Sequence, residues 1–102
     1  MQIGETGIYD SSDGSREGAP LNSDRAQFFL PAAVDVDKET GDIYVADGEL
    51  PGGNSRIAVI SREGKFLRQW PLYRTNSDSN ITPLPHCIRL SNDGLVYVCD
   101  RE

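Results

Sequence analysis

The sequence predicts an all-β fold, and three observations predict it. Short runs of β-branched and aromatic residues alternate with glycine-containing turns. No ten-residue stretch carries apolar residues at helical spacing, and ten glycines and six prolines in 102 residues work against long helices. A pattern of two strands and a turn also recurs at a nearly constant interval, which marks a repeat architecture.

Residues 1–27 are turn-rich. Gly4, Gly7, Gly14, Gly18 and Pro20 punctuate a stretch in which Asp10-Ser11-Ser12-Asp13-Gly14-Ser15 offers little apolar surface. The expectation is a short opening strand at Gln2-Ile3 followed by a long surface loop, with a disordered leader as the alternative. Residues 28–71 then read as a four-stranded meander. Ala33-Val34-Asp35-Val36 is followed by a turn at Lys38-Glu39-Thr40-Gly41, and the next strand is Asp42-Ile43-Tyr44-Val45-Ala46. A loop over Glu49-Leu50-Pro51-Gly52-Gly53-Asn54 leads to Arg56-Ile57-Ala58-Val59-Ile60. A turn at Arg62-Glu63-Gly64-Lys65 then leads to Phe66-Leu67-Arg68-Gln69-Trp70. Residues 72–83 form a polar connection, and 84–102 begin a second unit.

The repeat fixes the organisation. Leu30-Pro31-Ala32-Ala33-Val34 matches Leu84-Pro85-His86-Cys87-Ile88 at an offset of 54. Gly41-Asp42-Ile43-Tyr44-Val45-Ala46-Asp47 matches Gly94-Leu95-Val96-Tyr97-Val98-Cys99-Asp100 at an offset of 53, so the second turn is one residue shorter. The second copy stops at Arg101-Glu102 after two strands. A sheet of this kind buries its faces only against neighbouring sheets, so the chain is expected to be a piece of a longer protein.

Composition excludes several functions. Sixteen acidic and ten basic residues give a net charge of −6, with a pI near 4.6. That balance lacks the basic footprint that releases counterions from nucleic acid and does not suit an anionic membrane surface. No run approaches the roughly 18 apolar residues of a membrane span, and residues 1–30 are too polar for a signal peptide.

The motif Leu30-Pro31, Val34, Val36-Asp37, then Gly41-Asp42-Ile43-Tyr44-Val45-Ala46-Asp47, Asn54-Ser55-Arg56-Ile57, Gly64-Lys65-Phe66 and Trp70 resembles the NHL repeat. The resemblance covers residues 28–102. It implies a β-propeller, often six-bladed, of which this chain holds about one complete blade and half of the next. Gln2-Ile3 would then be the outer strand of a preceding blade. Within that family the chain also resembles the branch that cleaves peptidyl-α-hydroxyglycine, through Asp47-Gly48, Asn54-Ser55-Arg56, Gly64-Lys65-Phe66, Trp70, Pro85-His86 and Asp100-Arg101-Glu102. That resemblance implies zinc in the full-length protein with His86 as a ligand, Arg101 as a substrate contact, and an extracytoplasmic location. The branch carries a Tyr just after Asp-Gly, where this chain has Glu49-Leu50-Pro51-Gly52-Gly53.

Each candidate has a structural alternative. A lone imidazole binds zinc weakly and a catalytic site takes three protein ligands, so His86 needs partners from other blades. Otherwise it is a polar residue at a strand entrance. Arg101 can hold a carboxylate bidentately or pair with Asp100 or Asp47. Asp47, Arg56 and Asp100 are expected to be structural, with Arg56 bracing the loop between strands. Asp35, Asp37, Glu39, Gly41 and Asp42 miss the spacing of a calcium loop and are expected to cap a turn. Cys87 and Cys99 fall on adjacent strands in one of two registers, with two thiols as the default and a disulfide as the alternative. Asn80-Ile81-Thr82 is a glycosylation sequon. The first functional expectation is a scaffold that binds a small molecule, peptide or protein at one face, together with the remaining blades of the same chain. The second is a metal-dependent lyase that cleaves a carbinolamide C–N bond.

Overall fold

The computed structural model describes residues 1–72 and 84–100. It is all-β among those residues, as the strand pattern predicts. Strands β1 (Pro31–Val36), β2 (Ile43–Asp47), β3 (Arg56–Ile60) and β4 (Phe66–Pro71) form one antiparallel sheet in sequential order. Strands β5 (Pro85–Leu90) and β6 (Val96–Asp100) form a second, two-stranded antiparallel sheet. Arg101, the connection 73–83 and the Asn80 sequon lie outside the described residues.

The central strands read as continuous apolar runs because both of their faces are covered. All five residues of β3 are buried, as are Tyr44 to Asp47 of β2. The core lies between the two sheets: Tyr44, Ala46, Ile57 and Val59 of the first meet Ile88 of the second, with Ala33, Leu72, Leu90 and Val96 packed around them. Tyr44 keeps its hydroxyl satisfied by accepting from Arg68 Nη2 at 2.9 Å, and its ring stacks on Trp70 at 6.0 Å. Asp35 adds a polar tie across the sheets, accepting from the Leu90 amide at 2.8 Å. That bond and the Val36 amide hold the Asp35 carboxyl below its ordinary value.

The turns set the register. In the first, Asp37 N donates to Asp42 O at 2.9 Å and Asp37 Oδ1 accepts from the Glu39 amide at 2.9 Å, so this acidic run caps a turn. In the second, Ser91 N donates to Leu95 O at 2.9 Å. That closure puts Leu90 opposite Val96 and therefore Cys87 opposite Cys99. The two sulfurs are bonded, with Cα atoms 5.0 Å apart, which corrects the expectation of two thiols. The repeat counterparts Ala33 and Ala46 are also register partners. Both copies carry an extra residue at the strand entrance, between Pro31 and Ala33 and between Pro85 and Cys87. In the second copy that residue is His86.

Gln2-Ile3, expected as a strand, is not one. Gln2 Nε2 donates locally to Gly4 O at 3.1 Å and Thr6 Oγ1 at 2.9 Å. A strand at this position would need a neighbour to pair with, and the described residues supply none. Residues 4–28 form an ordered loop over the strand entrances, with an isolated bridge between Ser11 and Pro20.

Replacing both cysteines by alanine recreates the Ala33–Ala46 pair and should destabilise the β5–β6 hairpin by about 2–4 kcal/mol. Amide hydrogen exchange checks this: β5 and β6 should exchange faster while β2 and β3 keep their protection.

Candidate functional site

The ends of β2, β4 and β6 and the starts of β1, β3 and β5 gather at one end of the two sheets, opposite the tight turns. The loop from Gly48 to Ser55 and the ordered loop of residues 4–28 meet there. Its interior is built around Arg56, whose side chain is 0% exposed. Arg56 Nε donates to Asp47 Oδ2 at 2.8 Å, Nη2 to Gln27 O at 2.6 Å, and Nη1 to Gln69 Oε1 at 3.2 Å and to the Ser23 carbonyl. The guanidinium lies 3.7 Å from Asp10 Oδ2 and packs over the Phe28 ring.

Asn54 joins the two carboxylates. Its Nδ2 donates to Asp47 Oδ2 at 2.8 Å and to Asp10 Oδ2 at 3.1 Å. Its Oδ1 accepts from the Leu21 and Asn22 amides. Asp47 also accepts from the Phe29 amide at 2.9 Å, and Asp10 accepts from the Ser23 amide at 2.8 Å, the Ser23 hydroxyl and Arg25 Nη2 at 3.1 Å.

The two buried carboxylates respond differently. For Asp47, burial outweighs Asn54, Arg56 and the Phe29 amide and pushes its carboxyl up from 3.8. For Asp10, burial also pushes upward, but the Ser23 hydroxyl and amide, Asn54 and Arg56 together hold it below 3.8.

The loop after β2 needs its glycine. Gly48 sits at φ +130°, and a Cβ there would fall 1.4 Å from Asn54 O. The Gly48 and Glu49 amides both donate to Leu30 O, at 3.1 and 2.8 Å. This carries Glu49 towards the second sheet, where its Oε1 lies 3.2 Å from His86 Nδ1. The His86 side chain is 53% exposed and that of Glu49 is 35% exposed.

The structure thus brings Asp47 and Arg56 together in the interior and leaves His86 at the surface, beside Glu49. Asp100 ends β6 opposite Pro85. Sequence reasoning passed over Asp10, Asn54 and Glu49 as partners in these contacts. Only the Asn-Ser-Arg motif hinted at Asn54. The described residues hold no group of three His, Cys, Asp or Glu able to bind a metal, so one imidazole and one carboxylate do not by themselves fit a catalytic zinc site. A polar cleft of about 470 Å³ lies at the opposite end of the sheets, lined by strand and turn residues including Asp35, Lys38 and Arg89. It holds neither His86 nor Glu49.

Two antiparallel sheets built from one repeat are what a β-propeller segment requires, and the relatives that follow make this chain an NHL-like fragment of one. No protein-family model matches it. It is 38% identical over 86 residues to peptidyl-glycine alpha-amidating monooxygenase B of Xenopus laevis, covering 78% of this chain and 9% of that protein. It is 34% identical over 86 residues to NHL repeat-containing protein 3 of Homo sapiens, covering 84% of this chain and 23% of that protein. The Mus musculus peptidyl-glycine alpha-amidating monooxygenase is 36% identical over 85 residues, 78% of this chain and 8% of that protein. The chain therefore spans under a quarter of the length of each of these relatives. Among the described residues no helix is long and apolar enough to cross a membrane.

Asp47→Ala would leave Arg56 buried beside a missing partner and should cost about 3–5 kcal/mol, against about 0–1 kcal/mol for the exposed Arg25→Ala. Urea unfolding of the full-length protein checks both.

Acid sensitivity tests Asp10. Because its folded value lies below 3.8, the native chain binds fewer protons than the unfolded chain between the two values. The resulting stability is present above 3.8 and is lost as pH falls through the folded value. Urea midpoints measured downward from pH 3.8 should fall less steeply in Asp10→Asn than in wild type.

Proposed function

We propose that the strand-entrance end of this propeller segment is a binding face for a peptide, and that the full-length protein acts as a binding scaffold completed by its other blades. The observation that carries the reading is the contrast at that end. A fully buried charge network holds the loops, while the ionisable pair His86 and Glu49 stands above it within reach of solvent. A ligand can meet the second without disturbing the first.

The need for other blades rests on the repeat. Ile88 is 4% exposed against the first sheet, whereas its counterpart Val34 is 62% exposed, and Val36, the counterpart of Leu90, is also exposed. A further sheet of the same kind would cover Val34 and Val36 as the first sheet covers Ile88. Nucleic acid remains a poor partner for a chain of net charge −6.

A second reading, a metal-dependent lyase, is supported by the similarity to the amidating monooxygenases and by the exposed position of His86. In it, a bound zinc would supply Lewis acidity or a more acidic water. His86 supplies one ligand, other blades supply the rest, and Arg101 holds a substrate carboxylate. An extracytoplasmic location is proposed from the Cys87–Cys99 disulfide, which persists in oxidising compartments.

Two measurements on the full-length protein test these readings. Calorimetric titration with a peptide ending in glycine should detect binding that His86→Ala weakens about tenfold, near 1.4 kcal/mol. Binding unchanged in the variant removes His86 from the face. Zinc content equal in wild type and His86→Ala supports the scaffold, and loss of zinc in the variant supports the lyase.

A further inference from the structure

We infer that Glu49 is a positioning residue for His86, holding its imidazole in the tautomer that carries the proton on Nδ1 and keeps the lone pair on Nε2. The inference deepens the binding-face reading and rests on it for its functional meaning. It stands on geometry that spans both sheets.

Each partner is held from its own side. Glu49 follows Gly48, whose backbone fits closely against Asn54, and the Glu49 amide is bonded to Leu30 O at 2.8 Å. His86 is the extra residue at the start of β5. It sits between Pro85, which is buried, and Cys87, which is covalently joined to Cys99 on the neighbouring strand. The carboxylate therefore meets the ring at Nδ1, 3.2 Å away, from a loop and a strand whose backbones are both fixed.

A neutral imidazole has one N–H and one lone pair, and its surroundings decide which nitrogen carries which. A lone pair on Nδ1 would point charge density at the carboxylate oxygen, whereas a proton there is attracted to it. The proton therefore belongs on Nδ1. The contact with Glu49 is at Nδ1, no hydrogen bond or ion pair joins Nε2 among the described residues, and the ring is half exposed. The Nε2 lone pair is then the one a ligand can use, and the ligand chemistry it suits is an N–H or O–H donor.

The test is the tautomer itself, read from two-bond proton–nitrogen correlation spectra of the oxidised full-length protein with labelled histidine. The His86 signal is assigned by its loss in His86→Ala, and spectra are taken near pH 8.5, about two units above an ordinary histidine. The expected result is a predominant Nδ1–H form in wild type. In Glu49→Ala the ratio of Nδ1–H to Nε2–H should fall by about tenfold. Glu49→Gln keeps a carbonyl acceptor and should fall between the two. Neither substitution removes the backbone amide that donates to Leu30 O. Wild type dominated by Nε2–H, or a ratio unchanged in Glu49→Ala, overturns the inference. Failure of the peptide titration with an Nδ1–H spectrum would instead overturn the binding face and leave the positioning role intact.

Discussion

A guanidinium removed from water is the constraint around which this chain is arranged. Burying an isolated charge costs several kcal/mol even after the protein relaxes, so Arg56 is tolerable only where its donors are met. They are met by Asp47 from the end of the preceding strand, by the Ser23 and Gln27 carbonyls and the Asp10 carboxylate from the N-terminal loop, and by Gln69 from the following strand. The two carboxylates are buried in turn and find their own bonds, chiefly through Asn54 and Ser23. Among the described residues no buried side-chain nitrogen or oxygen is left without a partner. A fully satisfied network of this kind admits one arrangement, because moving any member leaves another unpaired.

That network explains how a segment with little apolar content is ordered. The loop of residues 4–28 sets Tyr9 against Phe29, with ring centroids 5.6 Å apart, but much of what ties it down is polar. Asp10 links three separate stretches of the chain: its own turn, the Ser23–Arg25 turn and the β2–β3 loop. The N-terminal loop and the strand entrances are thus one structural unit.

The two sheets differ in how they are supported. In the first, β2 and β3 have pairing strands on both sides, and small residues suffice at the Ala33–Ala46 pair. In the second, β6 is paired on one side only among the described residues, and a covalent bond stands at the equivalent Cys87–Cys99 pair. The same repeat position is served by packing in one copy and by a cross-link in the other. The disulfide also stiffens the backbone beside His86, at the point where the second sheet meets Glu49 from the first. Buried charges hold the frame and exposed ones face solvent, a division that keeps the chemistry of the surface separate from the cost of the interior.

The strands, the turns and the repeat were legible in the sequence because each is a local property: alternation along Ala33–Val36, the apolar runs of β2 and β3, and the glycine turns. Even the one-residue difference between the two offsets reappears as the shorter second turn. That such sheets must stack followed from the same repeat, and the propeller from the resemblance of its motif to the NHL repeat. What the sequence could not express were the pairings made through space. Asp10 lies 46 positions from Arg56, and nothing in its own surroundings distinguishes it from Asp13. The Cys87–Cys99 bond depended on the register set at Ser91–Leu95, and the Glu49–His86 contact on how one sheet rests against the other. Local periodicity determined the elements and their order. Charge pairing, cross-linking and the placement of the one imidazole were decided only when burial brought distant residues together.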